Sequence, residues 1–207
     1  MPNLTLVAGI HGNETRPLSA IQDLGLKVVI GNPAAIAINK RFVEEDLNRC
    51  FGKPGTSLEH LRARDLRENI LPKGPVLDFH TFSCKSEPFA VIVDRTYLPL
   101  AQSLGLRHVV IMAFDIKDGG SLIGDRGGVS VEMGHHDDAL SFDRTQALIQ
   151  GLGQLRPAEQ VRVYEVFDIL REPGDYINFQ EHPGGFIPVL AGETAYSHYG
   201  LKARLVE

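Results

Sequence analysis

Short apolar, β-branched runs recur through the first part of this chain, at 4–8, 27–30, 75–79, 89–93, 108–112 and 128–133. Between several of them lie stretches with helical patterning, at 17–24, 57–70, 97–104 and 138–155. A strand that is apolar along its whole length suits burial on both faces, whereas alternation suits a half-exposed strand. Alternation of such runs with helices therefore predicts an α/β fold: a mixed, mostly parallel sheet with helices on both faces. Ser57, with acidic Glu59 behind it and Leu58, Leu61, Leu66 and Ile70 following, reads as a helix start.

The texture changes after Arg156-Pro157. Residues 161–167 alternate in the period of a half-exposed strand, and Pro173-Gly174, Pro183, Gly185, Pro188 and Gly192 then punctuate the chain with turns. The expected organisation is an α/β domain over 1–157 and a small β-rich lobe over 158–207 packed on it.

Composition narrows the classes of function. With a net charge of −5 and no basic run, the 207-residue chain is not expected to bind nucleic acid. Cys50 and Cys84 have neither a disulfide framework's number nor metal spacing, so reduced thiols in a cytoplasm are expected. No signal peptide or membrane span is visible in the sequence.

The chemistry begins where the first run breaks, at Gly9 and Gly12, leaving His11 and Glu14 on a turn into a helix. The carboxyl end of a strand in an open α/β sheet is where ligands gather, and His-x-x-Glu can supply two corners of a zinc tetrahedron. Asp78-Phe-His80 ends another apolar run and brings His80 to the same edge. Two His and one Glu with an open fourth position is a catalytic zinc ligand set. Asp78 reads equally well as an orienting partner or as a capping carboxylate. Glu132, at the end of Gly128-Val-Ser-Val, reads either as a general base near the metal or as a solvent-facing strand end. Arg41, Asn48 and Arg49 lie on the intervening segment and can polarise a carbonyl or grip a carboxylate. Paired His135-His136 looks rich in metal ligands, but neighbours on a strand point to opposite faces; a polar loop capping a helix at Asp138 is expected.

Taken in order, His11-Gly-Asn-Glu14, Asn32-Pro33, Asp46-Leu-Asn48-Arg49-Cys-Phe51, Asp78-Phe-His80-Thr81, Val131-Glu132-x-Gly134 and Glu193-Thr-Ala-Tyr196 resemble the succinylglutamate desuccinylase/aspartoacylase branch of the zinc carboxypeptidase-like superfamily. The resemblance implies one Zn2+ per subunit on His11, Glu14 and His80, with Glu132 as general base or acid and Arg41 on the developing oxyanion. It also implies that Asn48 and Arg49 hold the substrate carboxylate and that Tyr196 reaches into the site. The implied activity is hydrolysis of the amide bond of a small N-acyl amino acid. The competing readings are a zinc carboxypeptidase, another amide hydrolase, or a non-catalytic metal- or metabolite-binding relative. Aspartoacylases carry a further Arg upstream of the catalytic Glu; here Arg126, at a different spacing, is the candidate for that substrate contact. The segment between Tyr164 and Tyr196 is shorter than in typical members, which implies a more open site. The sequence is compatible with a homo-oligomer.

Overall fold

The computed structural model of the chain describes residues 4–112, 120–152 and 160–207. Its described strands are β1 (Thr5–Ala8), β2 (Val29–Ile30), β3 (Val76–Phe82), β4 (Phe89–Ile92), β5 (His108–Ile111), β6 (Gly128–His135), β7 (Arg162–Leu170), β8 (Ile187–Val189) and β9 (Gly200–Leu205). They form one mixed sheet in the order β2-β1-β3-β6-β4-β5-β7-β9-β8. Pairing is parallel from β2 through β1 and β3 to β6, and again from β4 through β5 to β7. It is antiparallel at β6/β4, β7/β9 and β9/β8. The mixed, mostly parallel α/β sheet expected from the apolar runs is therefore observed.

The helices are α1 (Thr15–Asp23), α2 (Pro33–Ala37), α3 (Leu58–Asp65), α4 (Leu98–Ser103), α5 (Leu122–Arg126) and α6 (Leu140–Gly151). Leu18 and Ile21 of α1 and Leu148 and Ile149 of α6 pack with Leu77, Phe79, Val129 and Val131 of the central strands. Ala63 of α3 and Leu122 and Ile123 of α5 join Val7 and Val76 in a second apolar cluster. All seven residues of β3 are buried, the apolar Val76, Leu77, Phe79 and Phe82 together with the polar Asp78, His80 and Thr81. Ser57 caps α3, accepting from His60 N at 3.2 Å. Glu59 stands in the first turn of α3, as its helix-start reading has it, and is 1% exposed.

Beyond residue 160 the chain is β-rich, as expected, and its strands continue the main sheet through the β5/β7 pairing. The expected boundary at 157/158, and the last residues of the 138–155 helix, lie outside the described residues. None of the described helices is long and apolar enough to cross a membrane.

Candidate active site

Strands β1, β3 and β6 run parallel and side by side, so their carboxyl ends open on one edge of the sheet. After β1 the chain turns tightly: Glu14 N donates to His11 O at 3.1 Å, and α1 begins at the next residue. That turn brings the side chains of His11 and Glu14 together, with His11 Nδ1 2.6 Å from Glu14 Oε1. Gly12 is required here, because a Cβ at that position would lie 2.1 Å from the carbonyl carbon of Ala35. Asn32 caps α2, accepting from Ala35 N at 3.2 Å, and so fixes the helix against which the turn rests.

His80, near the end of β3, places Nδ1 2.9 Å from Glu14 Oε2, and Thr81 N donates to the same oxygen at 3.1 Å. One ligand atom from each of His11, Glu14 and His80 lies within 4.8 Å of the others, and all three residues are buried. The donor set, two imidazole nitrogens and a carboxylate oxygen, suits Zn2+ and other divalent transition ions. His80 Nε2 lies 2.7 Å from Asp78 Oδ2, the outer contact that orients metal-binding imidazoles. Burial opposes ionisation of Glu14, but the two imidazoles more than offset it and hold its carboxyl well below the ordinary range. The carboxylate is thus kept in the form a cation needs.

Asp46 is a participant that composition and spacing give no role. It caps a 3-10 turn at Leu47–Arg49, accepting from Asn48 N at 2.9 Å through Oδ1, which also lies 3.1 Å from His11 Nε2. Arg41 NH2 donates to Asp46 Oδ2 at 2.9 Å, and Arg41 NH1 lies 3.6 Å from Glu14 Oε1. Although Asp46 is largely buried, its bonds to His11 and the nearby arginines hold it far below the ordinary carboxyl range. Arg41 stays charged beside it: the Asp46 and Glu14 charges outweigh burial and raise its pKa.

A cavity of about 320 Å³ opens over these groups. Arg41, Asn48, Glu132 and Tyr196 line it together with the three candidate ligands. Glu132 pairs in register with His80 across β3 and β6. Asn48 Oδ1 accepts from Leu122 N at 2.9 Å, which anchors the amide at the start of α5. Tyr196 comes from the connection between β8 and β9, and burial raises the pKa of its phenol. Arg49 adjoins the group, with NH1 donating to Asn48 O at 2.9 Å and NH2 3.7 Å from Asp46. Arg49 is not among the residues lining the cavity.

Arg126, the candidate for a further substrate contact, is not among the residues lining the cavity. It ends α5 and so precedes β6, at the opposite edge of the sheet from Glu132, where it donates to Leu71 O at 3.1 Å and Pro72 O at 2.6 Å. Cys50 is a buried thiol. Burial, reinforced by Glu45 and Asp46, pushes it up to about 12. His136 Nδ1 lies 2.7 Å from Thr81 Oγ1, outside the ligand group. Glu193, quoted only as part of a motif, also lines the cavity; it accepts from Ser83 N and Ser83 Oγ, both at 2.8 Å.

A buried His-Glu-His group at the carboxyl edge of an α/β sheet, with a carboxylate and a guanidinium beside it, defines a candidate metallohydrolase centre. The family model described as the succinylglutamate desuccinylase/aspartoacylase catalytic domain matches residues 1–150, and the chain belongs to that family. A succinylglutamate desuccinylase from Serratia proteamaculans is 37% identical over 32% of this chain and 26% of its own length. A probable aspartoacylase from Prochlorococcus marinus is 32% identical over 46% of this chain and 39% of its own. The matches thus span less than half the length of these curated relatives. Among solved structures, murine aminoacylase 3 superposes with a TM-score of 0.73 at 22% identity, covering 100% of this chain and 96% of that one. The succinylglutamate desuccinylase of Chromobacterium violaceum gives 0.70 at 17% identity, covering 99% and 84%. At these identities the superpositions establish the fold.

Proposed function

We propose that the protein is a zinc-dependent hydrolase of the amide bond of N-acyl amino acids. The observation that carries this reading is the convergence of His11, Glu14 and His80 ligand atoms within 4.8 Å, beside a cavity that Arg41 and Glu132 also line. His11, Glu14 and His80 would hold the metal, which when bound acidifies water and polarises a carbonyl.

The remaining steps belong to this chain's own side chains. Glu132 takes the proton from the attacking water and returns it to the leaving amine nitrogen as the C–N bond breaks. The Arg41 guanidinium, held charged by Asp46 and Glu14, faces the oxygen on which negative charge develops. Asn48, its amide oriented by Leu122 N, receives the substrate carboxylate at the cavity wall, and Arg49, bonded to Asn48 O behind that wall, supplies positive charge to the same carboxylate. Tyr196 adds a phenolic donor from the far wall. Family membership supports an acyl-amino acid as the substrate class.

The deciding experiment is Glu132→Gln in metal-loaded protein, assayed on a panel of N-acyl amino acids. Turnover is expected to fall by about 10²–10⁴-fold with bound metal unchanged. Near-normal turnover would remove Glu132 from the mechanism. Absence of hydrolysis in the fully loaded wild type would favour a metabolite-binding relative.

A further inference from the structure

The cavity changes character across the sheet. At its β3 side stand the three candidate ligands and Arg41. Glu132 on β6 is opposite Phe89 on β4, Ser130 is opposite Val91, and Val91 is in turn opposite Val110 on β5. Because paired residues share a face, this row runs along the cavity floor from polar to apolar. Three strand spacings of about 4.8 Å separate β3 from β5, roughly 14 Å in all. The reacting carbonyl and the apolar end therefore contact different parts of one molecule. Met112, which packs with Phe89, Val91 and Val110, lines the same apolar end.

Charge in the cavity points the same way. Among the described residues that line it, Arg41 supplies the guanidinium, already engaged by Asp46 at 2.9 Å, and there is no lysine. Glu132 and Glu193 add two carboxylates beyond the candidate ligands. Among the described residues, a second substrate carboxylate seated over β4 and β5 would meet no lysine or arginine on the cavity wall there and would lie near Glu132, which pairs with Phe89 of β4. An alkyl or aryl group would instead gain by leaving water.

We infer that the substrate carries an uncharged, apolar substituent on one side of the scissile amide, seated over β4 and β5 against Phe89, Val91, Val110 and Met112. The inference rests on the amide-hydrolase reading and names its substrate class. The same chemistry can belong to the amino-acid side chain or to the acyl chain.

The test is kcat/KM of the zinc-loaded full chain on three arms: N-acetyl-leucine and N-acetyl-phenylalanine; N-octanoyl-glycine; and N-acetyl-aspartate with N-succinyl-glutamate. One apolar arm is expected to exceed both acidic substrates by about 10–100-fold, and which arm wins assigns the substituent. Hydrolysis with the acidic arm equal or faster overturns the inference and leaves the amide-hydrolase reading standing. If nothing is hydrolysed that reading fails, and calorimetry with N-acetyl-phenylalanine and N-acetyl-aspartate then decides the ligand class: preference for the aspartate overturns the inference. Val91→Lys, at a half-buried position, puts a cation on the wall and should raise the acidic-to-apolar ratio at least about 10-fold. An unchanged ratio in folded protein overturns the placement.

Discussion

The imidazole of His80 turns Nδ1 toward Glu14 because its Nε2 is held 2.7 Å from the Asp78 carboxylate. Asp78 stands two residues back on β3, on the same face and fully buried, and Ser130 Oγ donates to it at 3.4 Å. Asp78→Asn keeps the shape but removes the charge that orients the ring and strengthens it as a ligand. Metal affinity is expected to fall about 10–100-fold. Competition with a chromophoric chelator measures this; unchanged affinity would reduce Asp78 to a packing role.

Glu59 acts on the site from a distance. Its buried carboxylate accepts from Asn32 Nδ2 at 3.1 Å and from the backbone N–H of Val43, Glu44 and Glu45 at 2.8, 3.2 and 3.3 Å. It thereby ties α3 to the segment between Arg41 and Asp46. Glu59→Gln should cost about 1–3 kcal/mol at pH 7, since at least one N–H loses a charged acceptor. Burial alone would raise the carboxyl pKa, but these donors lower it below 4.5. Stability from the ionised group is therefore complete above about 4.5 and is lost as pH falls through the depressed folded value. Denaturation of both proteins at pH 7, 5 and 3.5 should show the gap shrinking only at the acid end. A gap independent of pH would mean the charge is not what holds the loop.

Much of this was legible in the sequence, for reasons the structure makes plain. Strands buried on both faces are rich in apolar residues, so the polar Asp78, His80 and Thr81 stand out in β3, and the turn at Gly12 presents His11 and Glu14 together. The roles of Asp46, Glu59 and Glu193 were not legible, because each arises from contacts between segments far apart in the chain. Arg126 shows the converse, a candidate the structure does not bring to the cavity. The resemblance offered it, at a different spacing, for the further Arg that aspartoacylases carry upstream of the catalytic Glu, yet it ends α5 and donates to Leu71 O and Pro72 O. Cys50, adjacent to Arg49, responds to burial and surrounding carboxylates more than to its covalent neighbour.

Gly120 offers a steric test of the Asn48–Arg49 turn. A Cβ at this position would lie 2.1 Å from Arg49 O and 2.3 Å from its carbonyl carbon. Phe51 N also donates to Gly120 O at 3.1 Å, so the two segments cannot simply part. Gly120→Ala must displace the turn that carries both proposed carboxylate-binding residues. Michaelis–Menten analysis should show KM rising at least about 10-fold, the size of one lost charged contact. A change confined to kcat would place the turn nearer the reacting carbonyl than the substrate carboxylate.

Metal removal tests the centre itself. Glu14 lies within hydrogen-bonding distance of both imidazoles and accepts from Thr81 N at 3.1 Å, so the ligand cluster has protein contacts of its own to hold its shape. Chelation is therefore expected to abolish hydrolysis while leaving the far-ultraviolet circular dichroism unchanged, and added Zn2+ should restore activity. Binding to the native state alone stabilises by about 2.7 kcal/mol at one hundred times Kd. For a chain of this size that is a Tm rise of about 5–10 °C. Glu14→Gln removes the anionic ligand and should erase most of that rise without unfolding the protein, because Thr81 N can still donate to the amide oxygen. A wild-type Tm indifferent to Zn2+ would be evidence that His11, Glu14 and His80 hold no metal and that their proximity serves only the packing of this sheet edge.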